Sequence, residues 1–136
     1  MRRRVMLIAP PFSGHLHPLI GIGQRLQGDV DVTVVSTPGG VRTANECGLE
    51  GHAILAGHEH RVCQIAEPGQ SVRSNPIRLW RQFRANVALL ATMKRECDAL
   101  LAATRPTLVI ADFTVPVAGL SARQHGIGWW TTLPSP

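Results

Sequence analysis

The chain has no tyrosine, only three phenylalanines and three tryptophans, and a single lysine, Lys94, among its 136 residues. So few aromatics leave little stacking platform for bases. The formal charge of +5, almost wholly arginine, is therefore read as solvated surface, and no nucleic-acid partner is expected. Cysteine is equally sparse. Cys47, Cys63 and Cys97 are odd in number and scattered in spacing, which argues against a disulfide framework and predicts three free thiols. No apolar run nears the roughly 18–20 residues of a membrane span; even residues 87–93 are flanked by Arg84, Lys94 and Arg95. The start, Met1-Arg2-Arg3-Arg4, has the charge of a signal peptide, but Pro10-Pro11 stops the apolar run at residues 5–9, too short for a signal core. A cytoplasmic protein without a membrane span is expected.

What is present is a globular composition, 44% hydrophobic and 17% charged, in a length that suits one domain burying roughly two thirds of its unfolded surface. Residues 5–9 form an unbroken apolar run, the pattern of a strand buried on both faces of a parallel sheet. Residues 10–16 read as a loop, and Pro18 suits the first turn of a helix that carries Leu19, Ile22 and Leu26 on one face and ends at Gly28. The β-branched residues 31–36 predict a second strand, with a turn at 37–40. A short helix at 41–47, ended by Gly48, and a weak third strand at 52–55 follow. Residues 58–73 show no sustained period and read as a loop.

Ser74-Asn75-Pro76 is a cap followed by a first-turn proline. Ile77, Trp80, Phe83, Val87 and Leu90 then recur at three and four, predicting a long helix with these residues as its core face, Arg78, Arg81 and Arg95 solvated, and an end at Arg105-Pro106. A strand at 107–111, a helix at 115–125 stopped by Gly126 and a strand at 127–132 complete a β-α alternation. The fold class this implies is α/β, a doubly wound, mostly parallel sheet of order 3-2-1-4-5. Residues 127–132, with Trp129 and Trp130, would then be an uncovered edge, so self-association (a homo-oligomer) or a second polypeptide is expected.

In such a sheet the ligand crevice lies beyond the carboxyl ends of the strands where the winding reverses, between strands one and four. The segment after strand one carries Pro10-Pro11-Phe12-Ser13-Gly14-His15, and the one after strand four carries Asp112-Phe113-Thr114. His15 and Asp112 thus fall on facing segments, an imidazole able to take a proton at neutral pH and a carboxylate able to fix its tautomer. Considered singly, His15 would be a loop histidine capping the first helix, and Asp112 a carboxylate at a helix start. Neither reading explains their meeting. His58-Glu59-His60-Arg61-Val62-Cys63 offers metal-capable groups, but the spacing fits no zinc template; it is read as polar loop, and no metal is expected.

Strand one with Pro-Phe-Ser-Gly-His15-Leu-His-Pro18-Leu, then Val32-Thr33-Val34-Val35-Ser36-Thr37, Leu108-Val109-Ile110-Ala111-Asp112 and Trp129-Trp130-Thr131-Thr132, resembles the amino-terminal domain of the UDP-glycosyltransferase family over nearly the whole chain. The resemblance implies the Rossmann-like amino-terminal half of a GT-B fold. It also implies an inverting transfer of a sugar from a nucleotide diphosphate to a hydroxyl of a small-molecule acceptor, often a lipophilic natural product. His15 would be the general base and Asp112 its partner. Phe12, Ser13, Gly14, His17, Trp80 and Phe113 are the candidate acceptor-binding residues. No cofactor is implied beyond the nucleotide diphosphate sugar as co-substrate.

The sequence departs from the family in one respect. The family is built of two such domains, the second supplying most of the nucleotide-sugar site, and neither a His-Cys-Gly-Trp-type motif nor a Gly-x-Gly-x-x-Gly occurs here. Residues 1–136 are therefore expected to be one incomplete acceptor-binding domain, inactive without a donor-binding domain or second polypeptide. The other readings of the sequence are a non-catalytic Rossmann-like module for a small ligand and an inactive remnant acting as a regulator.

Overall fold

The apolar run near the amino terminus forms β1 (Arg4–Ile8), buried on both faces as an unbroken run requires. The computed structural model describes residues 2–66 and 75–133. Four further strands, β2 (Asp31–Ser36), β3 (Glu50–Ala53), β4 (Leu108–Asp112) and β5 (Gly128–Thr132), pair with it in the order β3-β2-β1-β4-β5, every pair parallel. Among the described residues five helices connect them: α1 (Ser13–Leu26), α2 (Pro38–Glu46), α3 (Glu59–Ala66), α4 (Pro76–Thr104) and α5 (Pro116–Gln124).

Side chains alternate across the sheet, and each face builds its own core. Val5, Leu7, Val34 and Ile110 pack with Leu16, Leu19 and Ile20 of α1 and Ala44 of α2. Met6, Ile8, Val35 and Val109 pack with Cys97, Leu100 and Leu101 of α4 and Ala118 and Ala122 of α5. On the first face Gly23 brings α1 close, since a Cβ there would stand 2.8 Å from Leu49 and 2.9 Å from Leu7. Burial pushes the Cys97 thiol up to about 12, and the charges of Asp98 and Glu96 add to this against the opposing Lys94, so it stays protonated. All three cysteines are free.

Several elements differ from the sequence reading. The expected loop at 10–16 contains the start of α1: the Phe12 carbonyl accepts from His15 and Leu16, and Pro18 lies inside the helix. A proline there removes only the donor for the Gly14 carbonyl, and Gly14 is exposed to water. The expected turn at 37–40 is already α2, whose first residue, Pro38, has the preset φ of a helical start. The third strand sits two residues earlier than expected. Its register on Thr33–Ser36 selects Glu50 and Gly51 despite their poor strand propensity, and Leu55 ends it at φ 56°. Residues 59–66 of the expected loop are helical in α3; residues 67–73 of that loop, and Ser74, lie outside the described residues. Asn75 caps α4, its side-chain oxygen accepting from the amides of Ile77 and Arg78.

The largest correction concerns α4. Ile77, Trp80, Phe83, Val87 and Leu90 are exposed, Ile77 by 65% and Trp80 by 60%, and the buried residues are Leu89, Cys97, Leu100 and Leu101. Arg78, Arg81 and Arg95 are exposed as expected. At the β5 edge of the sheet, Trp129 lies against α5 at Gly119, while Trp130 is 66% exposed. No helix of the described residues is long and apolar enough to cross a membrane.

Candidate functional site

The carboxyl ends of β1 and β4 lie side by side, with Ile8 opposite Ala111. Asp112 is the last residue of β4, not the first of a loop, and only 3% exposed. A buried carboxylate needs donors, and it finds three on Oδ2: the Thr114 amide at 3.0 Å, the Thr114 hydroxyl, and His15 Nδ1 at 3.0 Å. The two Thr114 bonds close a turn in which an aspartate side chain accepts from the backbone two residues on.

His15 belongs to the first turn of α1, which Phe12 precedes in extended backbone. An ionised carboxylate only accepts, so Nδ1 of a neutral His15 carries the proton and Nε2 keeps its lone pair. The ring is part-exposed and lies between two aromatics, its centroid 6.4 Å from Phe12 and 5.7 Å from Phe113. The arrangement holds an imidazole in one tautomer, with the accepting nitrogen free to take a proton.

His15 lines a cavity of about 450 Å³ at this end of the sheet. Pro10, Pro11 and Phe12 form one side, Ile54, Leu55, Val62 and Ile65 another, and Leu89, Leu90 and Met93 of α4 a third, with Thr114 and Val115 beside His15. Among the described residues no side chain of formal charge lines it, so an occupant loses little on leaving water there if it is apolar and uncharged. A second cavity, of about 410 Å³, opens at the amino ends of the strands among Arg4, Asp31, Glu50 and His52, remote from the His15–Asp112 pair.

Of the residues singled out from the sequence, His15 and Asp112 are brought together, Phe12 lines the cavity and Phe113 lies beside the His15 ring. Ser13, Gly14 and His17 are exposed on the first turns of α1 and Trp80 is exposed on α4; none of the four lines the cavity. Instead Trp80 stacks on Phe83, ring centroids 5.9 Å apart. His17 stands two residues from His15 on the helix, so it faces another way. Sequence reading missed Thr114, although Asp-x-Thr is a recognisable turn signal. It also missed the wall made by Val62 and Ile65, because residues 58–73 show no sustained period, and the wall made by Leu89 and Met93 of α4. Among the described residues, no group of three or more His, Cys, Asp and Glu gathers to hold a metal.

Neither a protein-family model nor a curated protein matches the sequence. Solved structures do match. The glycosyltransferase SsfS6 of Streptomyces sp. SF2575, complexed with thymidine diphosphate, is 22% identical with a TM-score of 0.69, over 96% of this chain and 38% of its own. CalG4, the calicheamicin glycosyltransferase, is 21% identical with a TM-score of 0.70, over 96% and 32%. Os79 from O. sativa, in complex with UDP, is 22% identical with a TM-score of 0.68, over 97% and 29%. The chain thus spans about a third of the length of the structures it resembles. What it shares with them is a fold: a five-stranded parallel sheet of order 3-2-1-4-5 between helices, the Rossmann-like α/β architecture found in GT-B glycosyltransferases.

Proposed function

We propose that this chain is the acceptor-binding, base-carrying half of an inverting glycosyltransferase, which moves a sugar from a nucleotide diphosphate to a hydroxyl of an apolar small molecule. The observation that carries the reading is the 3.0 Å contact between His15 Nδ1 and the buried Asp112 carboxylate, at the edge of a cavity with no charged lining among the described residues. The glycosyltransferase neighbours support the general reaction class, and two were solved with nucleoside diphosphates bound, as a nucleotide-sugar donor requires. The share of each neighbour matched here leaves the donor side to a further domain or a second polypeptide.

An alcohol is a weak nucleophile, and a base at its proton raises its reactivity as it attacks. His15 Nε2 takes the acceptor O–H proton while the oxygen forms the bond to the anomeric carbon. The bond from that carbon to the diphosphate oxygen breaks on the opposite face, and the nucleoside diphosphate leaves with the electron pair. Asp112 holds the imidazole ring and stabilises the imidazolium as it forms, and the two Thr114 bonds fix the carboxylate. No metal or cofactor is assigned a part in these steps.

The test is Asp112→Asn in protein supplied with its donor-binding half, assayed with UDP-glucose or TDP-glucose and a hydroxyl acceptor. Asparagine keeps the shape and loses the acceptor pattern that selects the tautomer, so turnover is expected to fall about 10⁴-fold with the fold intact. Turnover near the wild-type level would sink the reading. An isolated chain that binds a flavin or nicotinamide tightly in calorimetry would replace it with a ligand-binding module.

A further inference from the structure

Helix α2 has no acidic residue in its first turn, and its N-cap, Thr37, makes no side-chain bond to its own helix. The cap comes instead from a residue 20 positions beyond Gly39. Oε1 of Glu59, the first residue of α3, accepts from the Gly39 amide at 2.6 Å and from the Thr37 hydroxyl at 2.9 Å. A carboxylate here satisfies an amide left free at the helix start and meets the positive end of the helix dipole. The contact needs glycine at 39, because a Cβ there would collide with Glu59 Oε1.

Eight residues are too few for a helix to hold itself in water. Val62 of α3 is partly buried on the core and Ile65 is exposed to solvent, yet both line the cavity, as does Thr37. The loop leading to α3 is tied at one further point, where the Leu55 amide donates to Glu96 of α4 at 2.7 Å. The Glu59 carboxylate therefore joins two walls of one cavity, capping one helix and seating the other.

We infer that Glu59 is a positioning residue for this cavity: through the α2 amino terminus it sets where Val62 and Ile65 stand, and so how large an apolar acceptor the cavity prefers. The inference rests on the acceptor reading of the cavity given above, and it gives Glu59 no contact with the reacting atoms.

The 136-residue chain, its Glu59→Ala and Gly39→Ala variants and the double variant are titrated calorimetrically with 1-naphthol and with phenol, two uncharged aromatic alcohols of different size. Partial unfolding lowers both affinities alike, so the ratio of the two reads the shape of the cavity alone. Wild type is expected to prefer 1-naphthol, and each single variant to lower that preference at least fivefold. The double variant is expected to go no further than the singles, because all three break one contact. Gly39→Ala leaves the carboxylate in place, so it carries the test if Glu59→Ala does not fold. A preference unchanged within twofold in the folded variants, or effects of the singles that multiply in the double, would overturn the positioning role and leave the acceptor reading standing. A wild-type chain that binds neither alcohol would overturn both.

Discussion

Residues 77–90 and 93–104 belong to one continuous helix with apolar side chains in both halves, yet one half is exposed and the other buried. Length explains the difference. Twenty-nine helical residues reach about 43 Å, whereas the five-residue strands β1 and β4 under them reach roughly 17 Å. Because α4 ends at Thr104, just before β4 begins, its carboxyl-terminal half lies along the sheet and its amino-terminal half extends past the strands' carboxyl ends. That is the end where His15, Asp112 and the cavity are found, and where the two halves meet, Leu89, Leu90 and Met93 serve as cavity wall. An apolar spacing shows which side of a helix avoids water, and the reach of the neighbouring layer decides how much of that side is covered.

The largest expected effect separates the two halves directly. Leu101 is 0% exposed among Met6, Ile8, Val35 and Val109, so Leu101→Ala leaves a cavity in a core that relaxes only in part, and about 2–5 kcal/mol of stability is lost. Leu79, exposed in the other half, loses little on truncation, and Leu79→Ala is expected to stay within about 0.5 kcal/mol. Urea unfolding of both variants makes the comparison. Equal losses would mean that something covers the amino-terminal half in solution.

The same contrast shows what was legible in the sequence. The strands, their parallel order and the meeting of His15 with Asp112 were readable, because each rests on local chemistry: unbroken apolar runs, a proline and glycine punctuation, and the rule that places ligands at the winding reversal. The start of α1 was not readable, since Ser13, Gly14 and Pro18 are poor helix formers, and His15 in this first turn is held by a carboxylate 97 positions away. Helix α3 was hidden for a similar reason, its first residue being tied to α2 through Glu59. The face of α4 was assigned correctly as apolar and wrongly as covered, because periodicity carries no information on the extent of the sheet.

A further variant extends the comparison to the cavity lining beside His15. There the fixing element is a hydrogen-bonded carboxylate, not apolar packing. Thr114→Val keeps the side chain's shape and removes the hydroxyl that donates to Asp112. Hydrogen bonds to charged groups contribute about 1.5–3 kcal/mol, so a loss toward the lower end of that range is expected, because the Thr114 amide and His15 remain as donors. Thermal unfolding measures it, and a ring-proton chemical shift of His15 moved by Thr114→Val would show that the loss passes through Asp112. A variant as stable as wild type would mean that the hydroxyl bond contributes nothing to holding this wall.

The smallest effect belongs to the covered half of α4, where polar contacts add to the core. Lys94 donates to Asp98 at 2.6 Å and to Gln124 of α5 at 2.7 Å, and His125 Nε2 lies 3.5 Å from the same Asp98 carboxylate. Partial burial pushes the Asp98 carboxyl up, but the Lys94 hydrogen bond and the charges of Lys94 and His125 more than offset this and hold it below the ordinary carboxylate range. A group whose folded value is depressed stabilises the fold in full above its unfolded value, near pH 4, and loses that contribution as pH falls through the folded value. Asp98→Asn is therefore expected to lower stability at pH 7 by no more than about 1 kcal/mol, the scale of a partly solvated ion pair. The gap between variant and wild type should narrow as pH falls below 4. Urea midpoints for both proteins between pH 7 and pH 3 test this, and a gap that stayed constant across that range would mean that the charge of Asp98 plays no part in joining α4 to α5.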